Sequence, residues 1–124
     1  MTTENKSAEI LVTPNFSKAE LSCPCCGGFW PSPILLTKLQ SIRDQLQHPL
    51  VISSACRCQT HNKEVGGSDN SYHQRGEAVD IVTTGWNGEK KFRLVGAAIS
   101  ADVGGIGLYK GHVHLDIGAP RLWI

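Results

Sequence analysis

Ser71-Tyr72-His73-Gln74-Arg75-Gly76-Glu77-Ala78-Val79-Asp80 sets an imidazole and a carboxylate seven positions apart, with a glycine between them. Its second half continues as Glu77-Ala78-Val79-Asp80-Ile81-Val82, an alternation of polar and apolar residues that predicts a strand. The small and apolar members Ala78, Val79 and Ile81 predict that this strand is well covered. An Asp on a covered strand needs a partner, because an unpaired buried carboxylate is expensive, and a metal ion is one such partner. Downstream, His112-Val113-His114-Leu115-Asp116-Ile117 reads as a second strand. Alternation puts His112, His114 and Asp116 on one face and Val113, Leu115 and Ile117 on the other. If the two strands pair, His73, Asp80 and His114 converge. Two imidazoles and one carboxylate form a zinc set with a fourth position left for water. Each residue alone has a plainer reading: His73 as a loop histidine, Asp80 as bonded to loop backbone, His112 and His114 as a polar strand face.

The remaining elements follow by pattern. Ser17, with Glu20 three positions on, is a capping box for a short helix. Cys23-Pro24-Cys25-Cys26-Gly27-Gly28 must be a loop, with glycines free to take positive φ. Ser32-Pro33 opens a longer helix. Leu35, Leu36, Leu39, Ile42 and Leu46 face inward in it, Lys38, Gln40, Arg43 and Gln47 outward, and His48-Pro49 stops it. Leu50 to Ser54 predicts a strand that delivers Arg57 just past its end. Thr60 to Val65 predicts one or two helical turns stopped by Gly66-Gly67. Asn87 caps a helix from about Glu89 to Ser100, with Phe92, Val95, Ala98 and Ile99 as its inner face. Gly104 to Tyr109 and Val113 to Ile117 read as strands of a hairpin turned at Lys110-Gly111. Helices come first and strands dominate later, so the expected fold is α+β: a small, mainly antiparallel sheet with helices packed on it. A loose arm is expected over residues 1–12 and a single domain over 13–124.

The chain has 124 residues, 40% hydrophobic and 19% charged, as one globular domain with a modest core would be. A formal net charge of +1 shows no nucleic-acid footprint. No apolar run is long enough to span a bilayer. The segment Met1 to Ser7 has no basic region followed by an apolar one, so synthesis in the cytoplasm without a signal peptide is expected. Five cysteines exclude a complete internal disulfide framework. They fall in two clusters: Cys23, Cys25 and Cys26, then Cys56 and Cys58. Half-sites of a structural zinc, one disulfide between the clusters, and reduced apolar thiols all remain open.

The pattern Ser71-x-His73-x-x-Gly76-x-Ala78-x-Asp80, followed by His112-x-His114, resembles the signature of the zinc D-Ala-D-Ala carboxypeptidase family. That family includes phage L-alanyl-D-glutamate endopeptidases, and the hedgehog signalling domain shares its fold. Ser53-Ser54-x-x-Arg57-x-x-x-x-Asn62, the Gly66-Gly67 turn and Gly105-x-Gly107-x-Tyr109 extend the resemblance, which runs from about Phe16 to the C-terminus. It implies zinc held by His73, Asp80 and His114, His112 acting beside the metal on the proton in flight, and Arg57 on a substrate carboxylate. Ser71 would hold substrate or orient the first ligand. The implied activity is metallopeptidase hydrolysis of peptidoglycan stem peptides, of carboxypeptidase or endolysin type. The missing signal peptide fits a phage-type enzyme that reaches the cell wall through another protein's pore or on phage-mediated release at lysis, and a monomer is expected. In the resembling endopeptidases an acidic base lies three positions before the last ligand; here that position is Gly111. The base is then His112, or a carboxylate such as Asp116 or Glu77, and Asp116 is equally placed to orient a ligand histidine. Tyr72, Trp86 and Tyr109 are candidates for a substrate groove, with core or rim packing as their plainer role. Trp30 and Trp123 read as core or C-terminal staples, and His48 and His61 as unrelated to the metal. A non-catalytic zinc-binding or peptide-binding module on the same fold is the alternative, and it has no need of Arg57 or His112.

Overall fold

The structure, a computed structural model, describes residues 10–124. In chain order it contains β1 (Leu11–Thr13), β2 (Phe16–Ser17), α1 (Lys18–Leu21), α2 (Pro33–Leu46), β3 (Ile52–Ser54) and α3 (Gln59–Glu64). A 3-10 turn (Tyr72–Arg75) leads into β4 (Ala78–Val82), α4 (Gly88–Ser100), β5 (Gly105–Leu108), β6 (His112–Asp116) and β7 (Arg121–Trp123). The main sheet has the order β3-β4-β6-β5-β7. Every pairing in it is antiparallel except β5 with β7. The α+β expectation with a small, mainly antiparallel sheet holds.

The sheet has two unlike faces because its strands alternate. Val79 and Ile81 of β4, Ile106 of β5, and Val113 and Leu115 of β6 join one core with Leu35, Leu39 and Ile42 of α2 and Leu94, Ala97 and Ala98 of α4. Each large aliphatic side chain buried there contributes about 1.5–3 kcal/mol. Strand parity sends Asp80, His112, His114 and Asp116 to the opposite face. The helices thus stabilise the sheet from one side and leave the other for polar chemistry.

The local signals act as their chemistry requires. The Ser17 hydroxyl accepts from the Glu20 N–H at 3.2 Å, and the Glu20 carboxylate accepts from the Ser17 N–H at 2.7 Å. Ser32 caps α2 with Pro33 in its first turn, and Gln47 ends it in the left-handed region at φ 51°. Asn87 Oδ1 accepts from the Lys90 N–H at 2.8 Å to open α4. Lys110-Gly111 turns the β5–β6 hairpin, closed by the Tyr109 N–H on the His112 carbonyl at 3.0 Å. No helix among the described residues is long and apolar enough to cross a membrane.

Several expectations are corrected. Residues 1–9 of the expected arm lie outside the described residues, while Leu11 and Val12 belong to β1, which pairs with β2. Gln40, expected outward, ties that small hairpin to α2: its Oε1 accepts from Thr13 Oγ1 at 2.7 Å and from the Asn15 N–H at 3.1 Å. The inner face of α4 is Leu94, Ala97 and Ala98, whereas Phe92 and Ile99 are 76% and 63% exposed. Small alanines let the helix approach the core, and this rotates the buried stripe by roughly a third of a turn at 100° per residue. Trp30 is not a core residue; it is 36% exposed and its Nε1–H donates to the Gln74 carbonyl at 2.9 Å. Trp123 lies in β7, a strand the sequence pattern does not announce.

Gly76 fixes how the 3-10 turn meets the rest. It sits at φ +70°, and a Cβ there would collide with the Trp30 carbonyl oxygen. Its own carbonyl accepts from the Ser32 N–H at 2.8 Å, joining the turn to the start of α2. Gly96, inside α4, faces open space. Two alanine substitutions should therefore act with opposite sign. Gly76→Ala should destabilise by more than about 1 kcal/mol, and Gly96→Ala should stabilise by about 0.5–1 kcal/mol through helix propensity. Urea unfolding of both variants checks this, and a neutral Gly76→Ala would contradict the close approach.

Candidate metal centre

Cross-strand register assembles the centre. β4 and β6 pair with Asp80 directly opposite His114, Val82 opposite His112 and Ala78 opposite Asp116. The third member arrives from outside the sheet. His73 is carried by the 3-10 turn, whose N-cap Ser71 accepts the His73 N–H at 3.2 Å. One ligand atom each from His73, Asp80 and His114 lies within 4.8 Å of the others. The expected trio is brought together.

Each imidazole spends one nitrogen outward and turns the other inward. His73 Nδ1 lies 2.8 Å from the Ala55 carbonyl, which can only accept, so that nitrogen carries the proton. Its Nε2 then faces Asp80 Oδ1 at 3.2 Å. His114 Nε2 is 2.8 Å from Asp116 Oδ2, and its Nδ1 faces the same Asp80 Oδ1 at 3.1 Å. Two imidazole nitrogens converging on one carboxylate oxygen need positive charge among them: protons on both rings, or a metal cation. His73 is 2% and Asp80 6% exposed, so that charge is sheltered from water. The donor set suits zinc, for which imidazole nitrogen and carboxylate oxygen are ordinary ligands. Outer acceptors on both rings are what metal-binding histidines use to fix their tautomer.

The electrostatics follow. Burial raises the Asp80 carboxyl, but hydrogen bonds from His114 and His73 outweigh it and hold the group well below the usual carboxylate range. Burial lowers His114, and its bonds to Asp116 and Asp80 reverse this and raise it. Asp116 is fully buried. Burial pushes its carboxyl up, but His114, Arg121 and the Gly118 N–H together pull it down to about 2. Arg121 grips it through both terminal nitrogens, NH1 to Oδ1 at 3.0 Å and NH2 to Oδ2 at 2.8 Å.

The trio forms part of the floor of an open cleft of about 450 Å³. His112 stands at its rim, its side chain 36% exposed, with Nε2 4.0 Å from Asp80 Oδ2. Its ring stacks on Tyr109, centroids 4.5 Å apart and planes 7° off parallel. Arg57 lines the cleft and bonds Asp80 Oδ2 at 3.1 Å, Ser54 Oγ at 2.9 Å and Asn62 Oδ1 at 3.1 Å. Ser71, Tyr72, Tyr109 and Trp123 complete the walls. Glu77 is not among the lining residues and lies 3.8 Å from Arg75 NH1. Trp86 is elsewhere, edge-on to His48 and under Lys90 at the end of α2. The chain after Val82 turns back toward α2, which takes Trp86 out of the cleft that holds the trio.

Two site residues escaped sequence reasoning. Arg121 lies in the three-residue β7 behind Gly118-Ala119-Pro120, with no periodic signal. The one available hint was that Asp116, on a covered strand, needed a cationic partner. Trp123 lies over Gly107, where a Cβ would collide with its indole. Its Nε1–H donates to Tyr109 Oη at 2.9 Å, and its ring centroid is 5.4 Å from that of His114.

Two imidazoles and a carboxylate in an open, arginine-bearing cleft make up the metal-centre class in which three protein ligands leave one position free for chemistry. A family model described as Peptidase M15 matches residues 14–116, and the chain belongs to that family of zinc-dependent metallopeptidases. A search of curated proteins returned no match.

The buried Asp116 generates a testable pair of effects. Asp116→Asn should weaken metal binding by about 10–100-fold, the usual cost of losing an outer partner of a ligand histidine. Competition against a chromogenic chelator measures it, and unchanged affinity would remove Asp116 from that role. The same carboxyl has a depressed folded pKa, so its contribution to stability is complete above the unfolded value of ~3.9. It is lost as pH falls toward about 2. Acid unfolding of metal-free protein should accordingly be less steep in Asp116→Asn than in wild type across that window.

Proposed function

We propose that this chain is a zinc peptidase that cleaves peptidoglycan stem peptides, as a carboxypeptidase on D-Ala-D-Ala ends or an endopeptidase of phage-endolysin type. The observation that carries the reading is the His73–Asp80–His114 trio with both imidazoles fixed from outside, in a chain of the M15 family. Those three residues would hold the metal. Bound there, zinc supplies Lewis acidity that polarises an amide carbonyl and acidifies water.

The chain's own groups supply the rest. His112 is the proton-handling candidate. Its Nε2 faces the cleft, and stacking on Tyr109 holds the ring while leaving it reachable. Asp116 is fully buried and spent on His114, Gly118 and Arg121, and Glu77 lies away from the cleft lining. Neither competes with His112 for the proton. Arg57 offers a substrate carboxylate the N–H groups it does not spend on Ser54, Asn62 and Asp80. Ser71 orients His73 through the N-cap bond. Tyr109 and Trp123, joined by a hydrogen bond, form a stiff wall against which a peptide can lie. A non-catalytic module would have no use for a reachable imidazole at the rim of such a cleft.

Mass spectrometry of purified peptidoglycan fragments, with and without chelator, tests the reading; no chelator-sensitive cleavage would sink it. Two variants separate binding from chemistry. Arg57→Ala should chiefly raise KM, because an anchor holds ground state and transition state alike. His112→Ala should lower kcat by roughly 10²–10⁴-fold with metal content unchanged. Wild-type kcat in His112→Ala, or loss of its metal, would remove the assigned role.

A further inference from the structure

The cysteines outside the cleft form a second constellation. Cys23 and Cys26 lie on the loop that follows α1, and Cys58 caps α3. The three sulfurs lie within 4.8 Å of one another. A tetrahedral zinc site with Zn–S bonds of about 2.3 Å has ligand edges of about 3.8 Å, so a small inward movement of the side chains would enclose an ion.

The backbone around the sulfurs is built for them. The loop closes on itself, the Cys23 N–H donating to the Gly28 carbonyl at 2.8 Å and the Gly27 N–H to the Cys23 carbonyl at 2.7 Å. Gly27 takes φ +74°, which turns Cys23 and Cys26 to the same side. Each sulfur of the trio accepts a backbone N–H: Cys23 from Cys58 at 3.3 Å, Cys26 from Gly28 at 3.3 Å, and Cys58 from His61 at 3.4 Å. Donors aimed at sulfur favour the thiolate, the form that binds metal. Cys56 stands apart: it is buried, accepts from the Trp30 N–H at 3.4 Å, and is not one of the three grouped sulfurs.

We propose that Cys23, Cys26 and Cys58 bind a structural thiophilic divalent cation, zinc in the cell, separate from the ion held by His73, Asp80 and His114. Cys25 is exposed on the same loop but is not one of the three grouped sulfurs, so the fourth corner is left to water or an exchangeable ligand. The site clamps the loop after α1 to the N-terminus of α3. Arg57 lies between Cys56 and Cys58, so the clamp also fixes the backbone that carries this arginine into the cleft. Metal binding displaces thiol protons, with no redox step required.

The test uses the full chain, stripped of metal, kept reduced and reloaded with cobalt(II). Two metal equivalents should bind, with near-ultraviolet sulfur-to-cobalt charge-transfer absorption that a centre of histidines and aspartate cannot give. His114→Ala should keep that absorption, as should Cys56→Ala, while Cys58→Ser should lose it together with one metal equivalent. A wild-type protein that binds cobalt without the absorption overturns the proposal, and so does absorption that persists in Cys58→Ser. A freshly purified chain two hydrogens lighter than its sequence, and without the absorption after reduction, would show a disulfide in place of the site. If Cys58→Ser fails to fold, the wild-type spectrum alone decides. Because the readout is sulfur ligation, failure here leaves the peptidase reading untouched, and failure of that reading leaves this one standing.

Discussion

Asp80 is the constraint around which the molecule is built. It sits in the second strand of the main sheet, with buried neighbours on either side of it in sequence. A carboxylate there costs several kcal/mol unless charge and hydrogen bonds answer it. One oxygen is answered by His73 and His114, the other by Arg57. Three separate regions of the chain must therefore meet at this point: the segment beyond β3, the 3-10 turn, and β6. The core that covers the far face of β4 supplies the apolar burial that holds them there. The polar cluster contributes position more than net stability.

The same logic runs outward from His114. Its outer nitrogen is held by Asp116, itself a buried carboxylate, and Asp116 is answered by the two-pronged grip of Arg121. That requirement accounts for β7. A three-residue strand has little stability of its own, yet its parallel pairing with β5 brings Arg121 beside Asp116 and Trp123 over Gly107. The C-terminal strand is thus both the outer support of His114, through Asp116, and one wall of the cleft. Gly107 is part of the same device, since a side chain there would occupy the space of the indole.

How much of this was legible in sequence varied with the kind of signal. Asp80 and His114 were readable because strand parity is strict: a residue two positions along must return to the same face, whereas His73, ahead of the strand, was readable from its place in the Ser71-x-His73-x-x-Gly76-x-Ala78-x-Asp80 pattern. An aspartate on a covered strand also demands an explanation. The caps of α1, α2 and α4 were readable because Ser17, Ser32 and Asn87 answer local backbone donors within three residues. The phase of α4 was not. Phe92 and Ile99 are large and apolar, but the sheet selects the stripe that includes Ala97 and Ala98 because small side chains permit close approach, and only the tertiary partner makes that choice. Arg121 was unreadable for a related reason. Its role exists only once Asp116 is buried, and nothing near Arg121 in sequence refers to Asp116.

Arg57 shows how one side chain can serve both the fold and the cleft. A guanidinium has five N–H groups in a fixed plane. One goes to Ser54, one to Asn62 and one to Asp80. That leaves two terminal N–H groups on a side chain that lines the cleft. A lysine in this position has three donors on one nitrogen and cannot span Ser54, Asn62 and Asp80 while keeping any for a ligand. The bonds to Ser54 and Asn62 hold the plane of the guanidinium. The contact with Asp80 sets the limit on that role. Arg57 spends one N–H on Asp80 Oδ2 while His73 and His114 face Oδ1, so any change of charge at the trio acts directly on Arg57.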